Sequence, residues 1–248
     1  MTQPALYRLG KKRPVFDRRT LRLSSYLKAL PAAPSALDLA PFVKAPWGMM
    51  ANDRLGDCTC AAAGHLDMIW SAQAGAPVTF TDDQIVEFYN RVNGGSDDGA
   101  VELFVLKEWR TNGGPAGRKI HAFVQISNLG DHELVKSAAF LFGGLYLGVA
   151  LPVTAQGQAV WDVAGDPQAP AAQPGSWGGH AVPIIGYDAT GVTVLTWGAP
   201  MRMTWAFHDH YTEEAYAVLP EEYVADPAVF DAAALEADLG QIGQVNPV

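Results

Sequence analysis

A cysteine at the predicted start of a helix is the side chain in this sequence best suited to nucleophilic chemistry. Gly56 and Asp57 form a turn signal, and the small apolar residues after Cys58 favour a helix. The positive end of the helix dipole stabilises a thiolate, so we expect the pKa of Cys58 to be lowered. Asp57 is of a residue type preferred at the N-cap, where its carboxylate accepts from backbone N–H groups. The alternative is a small buried thiol in a tightly packed helix.

A nucleophilic cysteine needs a base, and the best-placed histidine lies far along the chain. His180 follows two glycines and begins an apolar, β-rich run, and the glycines permit another segment to approach closely. The other histidines lie in helical or polar surroundings that indicate surface or capping roles: His65, His121, His132, His208 and His210. A single histidine in a strand is more often structural than catalytic, so its pairing with Cys58 is a hypothesis.

The composition excludes several classes of function. The 248 residues suffice for one large domain or for two small lobes around a shared core. A net charge of −9 argues against a nucleic acid partner, since phosphate binding requires a basic face. Cys58 and Cys60 are the only cysteines, and their i, i+2 spacing on a helix disfavours a disulfide between them. Two cysteines cannot form a cysteine-rich zinc site, and we expect no metal and no other cofactor.

The sequence shows neither a secretory leader nor a membrane-spanning segment. The first residues lead into Lys11, Lys12 and Arg13 rather than into an apolar run. The apolar stretch Ala138–Leu151 is shorter than the roughly 20 residues that a spanning helix needs, and it contains glycines. We therefore expect no membrane partner.

The periodicity of apolar residues predicts a helical first half and a mostly antiparallel β second half, which is an α+β plan with two lobes. Helices are predicted over 59–74, from Thr81 with a capping box to Gln84, over 100–111 and over 131–142. Strands are predicted over 119–127, 145–151, 180–187, 192–197, 201–208 and 214–219, with a long loop at 154–178.

This reading divides the chain into three parts. Residues 1–36 form an arm over the surface, with a little helix near 21–30. Residues 37–225 form the domain, with a helical lobe at about 50–118 and a β lobe at about 119–225. Residues 226–248 form a tail whose apolar residues either dock on the body or bind a protein partner, as the arm also could: Phe230, Leu235 and Leu239.

Taken in order, several motifs resemble those of papain-like cysteine peptidases, in particular the compact bacterial and phage forms. The matching segments are Asp38–Phe42, Asn52–Thr59, Gly179–Val182 with Ile185–Tyr187, Leu195–Gly198, and Tyr216–Pro220 with Glu222 and Tyr223. The resemblance covers roughly residues 38–223. It implies a papain-like fold with an active-site cleft between a helical lobe and an antiparallel sheet or barrel.

The resemblance also implies roles for single residues. Cys58 takes the position of the nucleophile and His180 that of the general base and acid. The Asn52 amide and the Cys58 N–H take the positions of the oxyanion donors. Further positions implied are the orienting or shielding residues Thr196 and Trp197, and the cleft-lining glycines Gly95 or Gly99.

Three residues depart from the family's pattern. Leu195 stands where the family has the asparagine that orients the histidine, and Thr196 is predicted to point to the other face of its strand. Asp57 replaces a small residue, and unless it is a solvated cap its carboxylate opposes a thiolate. Asn52 is one methylene shorter than the family's glutamine. About 37 residues precede the core, too few for a long helical prosegment.

Three functions are compatible with these residues. The first is a cysteine hydrolase, a peptidase acting on a peptide or protein. The second is a papain-fold protein with weak or no activity that serves as a binding or structural module, for example in a phage particle or bacterial assembly. The third is a Cys–His acyl transferase or amidase. The retained Cys58 and His180 favour the hydrolase, and we expect a cytoplasmic or virion-associated protein.

Overall fold

The α+β prediction is confirmed by the computed structural model, which describes residues 7–221, 223 and 226–245. The helices of this part of the chain are α1 Cys58–Gln73, α2 Asp82–Asn93, α3 Glu102–Thr111, α4 His132–Leu141, α5 Trp205–Tyr211 and α6 Ala232–Val245. Its strands are β1 Leu37–Asp38, β2 Ile120–Gln125, β3 Leu145–Leu151, β4 Val160–Trp161, β5 Gly178–Tyr187, β6 Gly191–Thr196, β7 Ala199–Thr204 and β8 Thr212–Pro220.

The helical lobe is built around α1, which is buried on almost every side. A helix that is buried on all sides has no need of a polar face. The alanines of α1 and Gly64 let the neighbouring elements pack closely against it. The predicted capping box starts α2, since the Thr81 side chain accepts from the Gln84 N–H and Gln84 accepts from the Thr81 N–H. The apolar core of this lobe includes Leu106 and Trp109 and extends to the sheet through Tyr146 and Tyr216.

The β lobe is an open sheet whose main path runs β2-β8-β3-β5-β6-β7-β4, with β1 added on β5. Its pairs are antiparallel except for β4 with β7. β3 is buried at every position, as the continuous apolar run at 145–151 predicts. β5 lies between β3 and β6, and Val149 pairs with His180.

The site is positioned where α1 packs against β5. This contact brings the first turn of α1 to the beginning of β5, so two residues 122 positions apart in sequence face one another across the two lobes. No helix in the described ranges has the length and apolar character that crossing a bilayer requires.

Three sequence predictions differ from the structure. The strand predicted over 201–208 ends at Thr204, whose side chain accepts from the Phe207 N–H and starts α5. The helix predicted near 21–30 is a single 3-10 turn, Leu23–Ser25. The arm does not simply cover the surface, because residues 7–12 lie between the lobes and Lys11 is buried. Residue Glu222 and the proposed boundary at 225 lie outside the described residues.

The tail packs on the outside of the β lobe. Phe230 and Leu235 are buried and Leu239 is nearly so, and all three belong to the core of that lobe. The Tyr26 hydroxyl donates to Asp238 at 2.7 Å and ties the tail to the arm's second half. Of the two predictions for the tail, the structure therefore shows docking on the body.

Candidate active site

Cys58 and His180 line one small cavity between the lobes. Cys58 is the first residue of α1 and His180 the third residue of β5, and both are 1% exposed. The cavity has a volume of about 10 Å³, close to the space one water molecule needs. Other predicted site residues also line it: Asn52, Thr196 and Trp197.

The surroundings of Cys58 disfavour a thiolate. Burial raises the pKa of Cys58 to about 12, although hydrogen bonds from the backbone of Ala181 and Gly10 act to lower it. The prediction of a lowered pKa is therefore wrong for this conformation, because loss of water outweighs the helix N-terminus. One of those two donors, Gly10, belongs to the segment that covers the site.

His180 is held by Thr196, against the expectation that Thr196 faces away. The His180 Nε2 lies 2.7 Å from the Thr196 Oγ1, while Nδ1 has no hydrogen-bond partner among the described residues. Leu195 also lines the cavity, and it packs in a cluster with Leu39 and Ile185. Burial lowers the pKa of His180 to about 3, so the ring is neutral. Thr196 therefore fixes one ring nitrogen, while the other has no hydrogen-bond partner among the described residues.

The Trp197 indole covers one face of the His180 ring. Its ring stacks on His180 with 4.5 Å between centroids and an interplanar angle of 17°. The backbone of Trp197 has φ 46°, in the left-handed region that non-glycine residues rarely adopt, and this turn aims the indole back over β5. Tyr7 stacks on Trp197 at 4.3 Å.

Asn52 places its amide at the same cavity. Its Nδ2 donates to the Leu55 carbonyl at 3.1 Å and reaches the Arg8 carbonyl at 3.5 Å. The second contact joins the amide to the arm, since Arg8 precedes Gly10 in the chain. The Trp197 Nε1 approaches the same Arg8 oxygen at 3.4 Å.

Asp57 departs from its predicted role as a side-chain cap. It occupies the N-cap position, but its carboxyl makes no capping hydrogen bond and is fully buried. Burial raises the pKa of Asp57 to about 8, so the group is mostly protonated at neutral pH. The expected repulsion between a carboxylate and a Cys58 thiolate is small as long as Asp57 keeps its proton.

Residues 7–12, which we call the arm segment, fill the cleft between the lobes. The Lys11 N–H donates to the Gly179 carbonyl at 3.0 Å. On the opposite wall, the Ala100 N–H donates to Gly10 and the Lys12 N–H donates to Ala100, both at 2.8 Å. An alanine at position 10 would place its Cβ 1.8 Å from the carbonyl oxygen of Gly56. The arm segment therefore lies in backbone contact with both walls and covers Cys58.

The two glycines proposed for the cleft lie in different environments. Gly99 is buried, and a Cβ there would lie 2.1 Å from the carbonyl oxygen of Gly10, so this glycine borders the cleft. Gly95 is exposed, and nothing lies within 4 Å of the Cβ it lacks. Only Gly99 is therefore placed to contact a chain in the cleft.

His65 lines the cavity too, which our surface or capping interpretation missed. It is buried, and its Nε2 contacts the carbonyl oxygens of Trp47 and Gly48 at 3.3 and 3.2 Å. Burial lowers the pKa of His65 to about 4. The signal was present in the spacing, because seven residues after Cys58 is about two helical turns along the same face.

A group with metal-ligating side chains lies elsewhere. In the described part of the chain, ligand atoms of His132, His208 and Asp209 lie within 4.8 Å of one another. His132 and Asp209 are hydrogen-bonded at 2.7 Å. None of the three lines the Cys58 cavity.

Comparison with known proteins gives structural matches only. No protein-family model and no curated protein sequence matches the chain. Xylellain, a cysteine protease from Xylella fastidiosa, is similar with a TM-score of 0.67 and 14% identity, over 89% of this chain and 98% of that one. A procathepsin B from Trypanosoma congolense gives 0.59 and 13%, over 86% and 87%. A Carica candamarcensis cysteine protease in complex with E-64 gives 0.53 and 13%, over 75% and 99%.

Proposed function

Because the chain has the papain-like fold, we propose that it is a cysteine hydrolase of the peptidase class, held closed by its own arm segment. The observation that carries the proposal is the arrangement at the cavity. Cys58 and His180 both line it, His180 Nε2 lies 2.7 Å from the Thr196 hydroxyl, and Nδ1 has no partner among the described residues. A base held in one orientation beside a thiol is what nucleophilic catalysis requires.

In the proposed reaction, His180 Nδ1 takes the proton of Cys58 and the thiolate attacks the carbonyl carbon of the substrate. A C–S bond forms and the carbonyl oxygen becomes an oxyanion. When that intermediate collapses, the C–N bond breaks and the amine leaves with the proton from His180. Water then attacks the thioester, gives a proton to His180, and releases the carboxylic acid and the Cys58 thiol.

Asn52 is our proposed side-chain donor to the oxyanion, together with the Cys58 backbone N–H. The contact between Asn52 Nδ2 and the Arg8 carbonyl supports this role, since a carbonyl oxygen of a chain in the cleft already lies within 3.5 Å. Removing one such donor in other enzymes costs about 10²–10³ in rate.

The closed state is inactive for an electrostatic reason. With the arm segment in place, burial raises the pKa of Cys58 to about 12 and lowers that of His180 to about 3, so a charged pair does not form. Departure of the arm segment would let water reach both groups. Their pKa values would then move back toward the ordinary values of 9.0 and 6.5, where a thiolate–imidazolium pair becomes accessible.

A test of this proposal uses the full chain with Gly10→Ala, which cannot keep the arm segment against Gly56. We expect this variant to hydrolyse an unstructured protein such as casein, and to lose the activity when Cys58→Ala is added. The matched control is Cys60→Ala, which removes a buried thiol of the same helix that does not line the cavity. No hydrolysis by a folded Gly10→Ala chain, with Cys58 alkylation unaffected by His180→Ala, would contradict the proposal.

One observation favours the second candidate, a binding or structural module. The Asn52 amide is already engaged by Leu55 and Arg8, and the arm segment is hydrogen-bonded to both walls, as a permanent part of the fold would be. In that case Gly10→Ala would lower the stability of the whole domain and leave Cys58 protected in the remaining folded molecules.

A further inference from the structure

The arm segment places one side chain in a deep pocket beside the cavity. The side chain of Lys11 is 0% exposed. Its Nζ lies 2.9 Å from Glu213 Oε2 and 3.1 Å from Glu214 Oε1. Since Gly10 is the arm residue that donates toward Cys58, the pocket lies one residue along the chain from the nucleophile.

The pocket is shaped for an unbranched aliphatic stem. A Cβ at Gly148, on β3, would lie 2.1 Å from Lys11 Cε, so any other residue there would close the pocket. The same Cβ would lie 2.9 Å from Glu102 Oε1 and 2.9 Å from Glu214 Cγ. Both carboxyl groups therefore surround the end of the stem.

The pocket contains more carboxyl groups than the two that form ion pairs with Lys11. Glu214 is nearly fully buried and is fixed by the Tyr216 hydroxyl, which donates to Oε2 at 2.8 Å. Glu102 is 0% exposed, and neither of its oxygens has a hydrogen-bond partner among the described residues. Burial raises the pKa of Glu102 well above its ordinary range. Burying two carboxyl groups in this way is costly for a fold unless a cation enters among them.

We propose that the pocket formed by Glu102, Gly148, Glu213 and Glu214 recognises a lysine side chain of the substrate, and that Lys11 takes its place while the arm segment lies in the cleft. This inference rests on the proposed hydrolase function. The proposed substrates are peptides with a lysine next to the residue that lies over Cys58, as Lys11 lies next to Gly10. A lysine fits because its ammonium is a compact charge that both Glu213 and Glu214 reach in the position that Lys11 Nζ occupies.

The direct test measures binding to the full chain with three substitutions: Gly10→Ala releases the arm segment, Lys11→Ala prevents its side chain from returning to the pocket, and Cys58→Ser prevents turnover. The ligands are acetyl-Gly-Lys-Gly-amide and the same peptide with norleucine, titrated by calorimetry. We expect the lysine peptide to bind at least about tenfold more tightly, as charge-assisted hydrogen bonds in a buried site allow. Glu214→Gln should abolish the difference, and Glu133→Gln, an exposed glutamate on α4, should leave it unchanged.

Equal affinity for the two peptides, or a preference that survives Glu214→Gln, would overturn the inference. A second measurement needs no substitution at Lys11. The full chain with Gly10→Ala, which releases the arm segment and Lys11 with it, is given internally quenched glycine-rich peptides that carry one lysine, norleucine, arginine or glutamate. We expect cleavage of the lysine peptide one residue away from its lysine. We expect the norleucine peptide to be cleaved about tenfold more slowly. Cleavage at equal rates would contradict the inference.

The failures of the two proposals are distinguishable. If Cys58 is alkylated at a rate that depends on His180 while both peptides bind equally, the hydrolase stands and the lysine pocket is wrong. If the lysine peptide is preferred but Cys58 is inert, the pocket recognises lysine in a binding module and the hydrolase is wrong.

Discussion

The arm segment and the described part of the tail both pack on the body, but by different physical means. The tail is held by apolar side chains, with Phe230 and Leu235 in the core of the β lobe. The arm segment is held by backbone hydrogen bonds to Gly179 and Ala100 and by the buried ion pairs of Lys11.

This difference predicts which end can leave. Burial of aromatic and aliphatic surface is strongly favourable and is insensitive to pH. Buried ion pairs gain little net free energy, because the loss of hydration nearly cancels their attraction. The tail is therefore a permanent part of the domain, and the arm segment is the part that solution conditions can release.

The largest effect is expected at the tail. Phe230→Ala removes a ring that contacts the rings of Tyr26 and Phe142 and should lower the free energy of unfolding by about 3–5 kcal/mol. Urea denaturation measures this change. Cys58 alkylation in the folded state should stay at the native rate, and faster alkylation would mean that the two ends are coupled rather than independent.

A pH-dependent contribution is expected under the arm segment. Folding raises the pKa of Asp57 from 3.8 to about 8 through burial, so its contribution to stability is full below about pH 4 and is lost as the pH rises toward 8. Compared with Asp57→Asn, the native chain should lose roughly 2–4 kcal/mol more of its unfolding free energy over that interval.

Urea denaturation at several pH values tests this prediction. Glu102 also has a raised pKa, but it titrates in both chains and cancels in the difference. Parallel pH profiles for the two chains would show that Asp57 is hydrated in solution.

The release of the arm segment should appear in the reactivity of Cys58. Gly10→Ala should increase the rate of alkylation by iodoacetamide by about 100-fold, because water reaches the thiol and its pKa falls. Mass spectrometry of the labelled chain gives the rate at each cysteine. Gly240→Ala is the matched control, since no atom lies within 4 Å of the added methyl on the tail helix. An equal increase for both variants would refute the contrast between the two ends.

The smallest effect is expected at the residue that holds His180. Thr196→Val keeps the shape but removes the hydrogen bond to Nε2, and should cost about 1–2 kcal/mol of stability because a buried nitrogen loses its partner. In the Gly10→Ala background it should also change the pH profile of hydrolysis. Thr212→Val is the control, because the Thr212 hydroxyl has no hydrogen-bond partner among the described residues. If Thr196→Val and Thr212→Val lower the free energy of unfolding equally, Thr196 has no anchoring role.

Most of the fold could be predicted because its signals are local. The strand at 145–151 is a continuous apolar run, and the start of α2 carries its capping box in the sequence. The strand predicted over 201–208 is present, but its predicted end was wrong because the alternation continues past Thr204, where the hydrogen bond from the Phe207 N–H begins a helix. At that point the N-cap hydrogen bond of Thr204 determines the structure, although the apolar alternation favours a strand.

The sequence indicated residues that the structure brings to one cavity, but not the environment of that cavity. The sequence places Cys58 before a helix and His180 at a strand, and the structure brings both to one cavity. The pKa of Cys58 follows from burial under the arm segment, which depends on backbone contacts that no side-chain pattern encodes. The contact of Thr196 with His180 depends on the register of β6 against β5, which shifts between Ile184 and Gly186.

The position of Trp197 gives this molecule an optical reporter. Its indole is stacked between the Tyr7 ring at 4.3 Å and the His180 ring at 4.5 Å, so one face belongs to the arm segment and the other to the catalytic candidate. When the arm segment leaves, that indole loses one neighbour and meets water, and its emission must change. In a chain that retains this tryptophan alone, fluorescence would follow opening in real time, without substrate and without chemistry at the thiol.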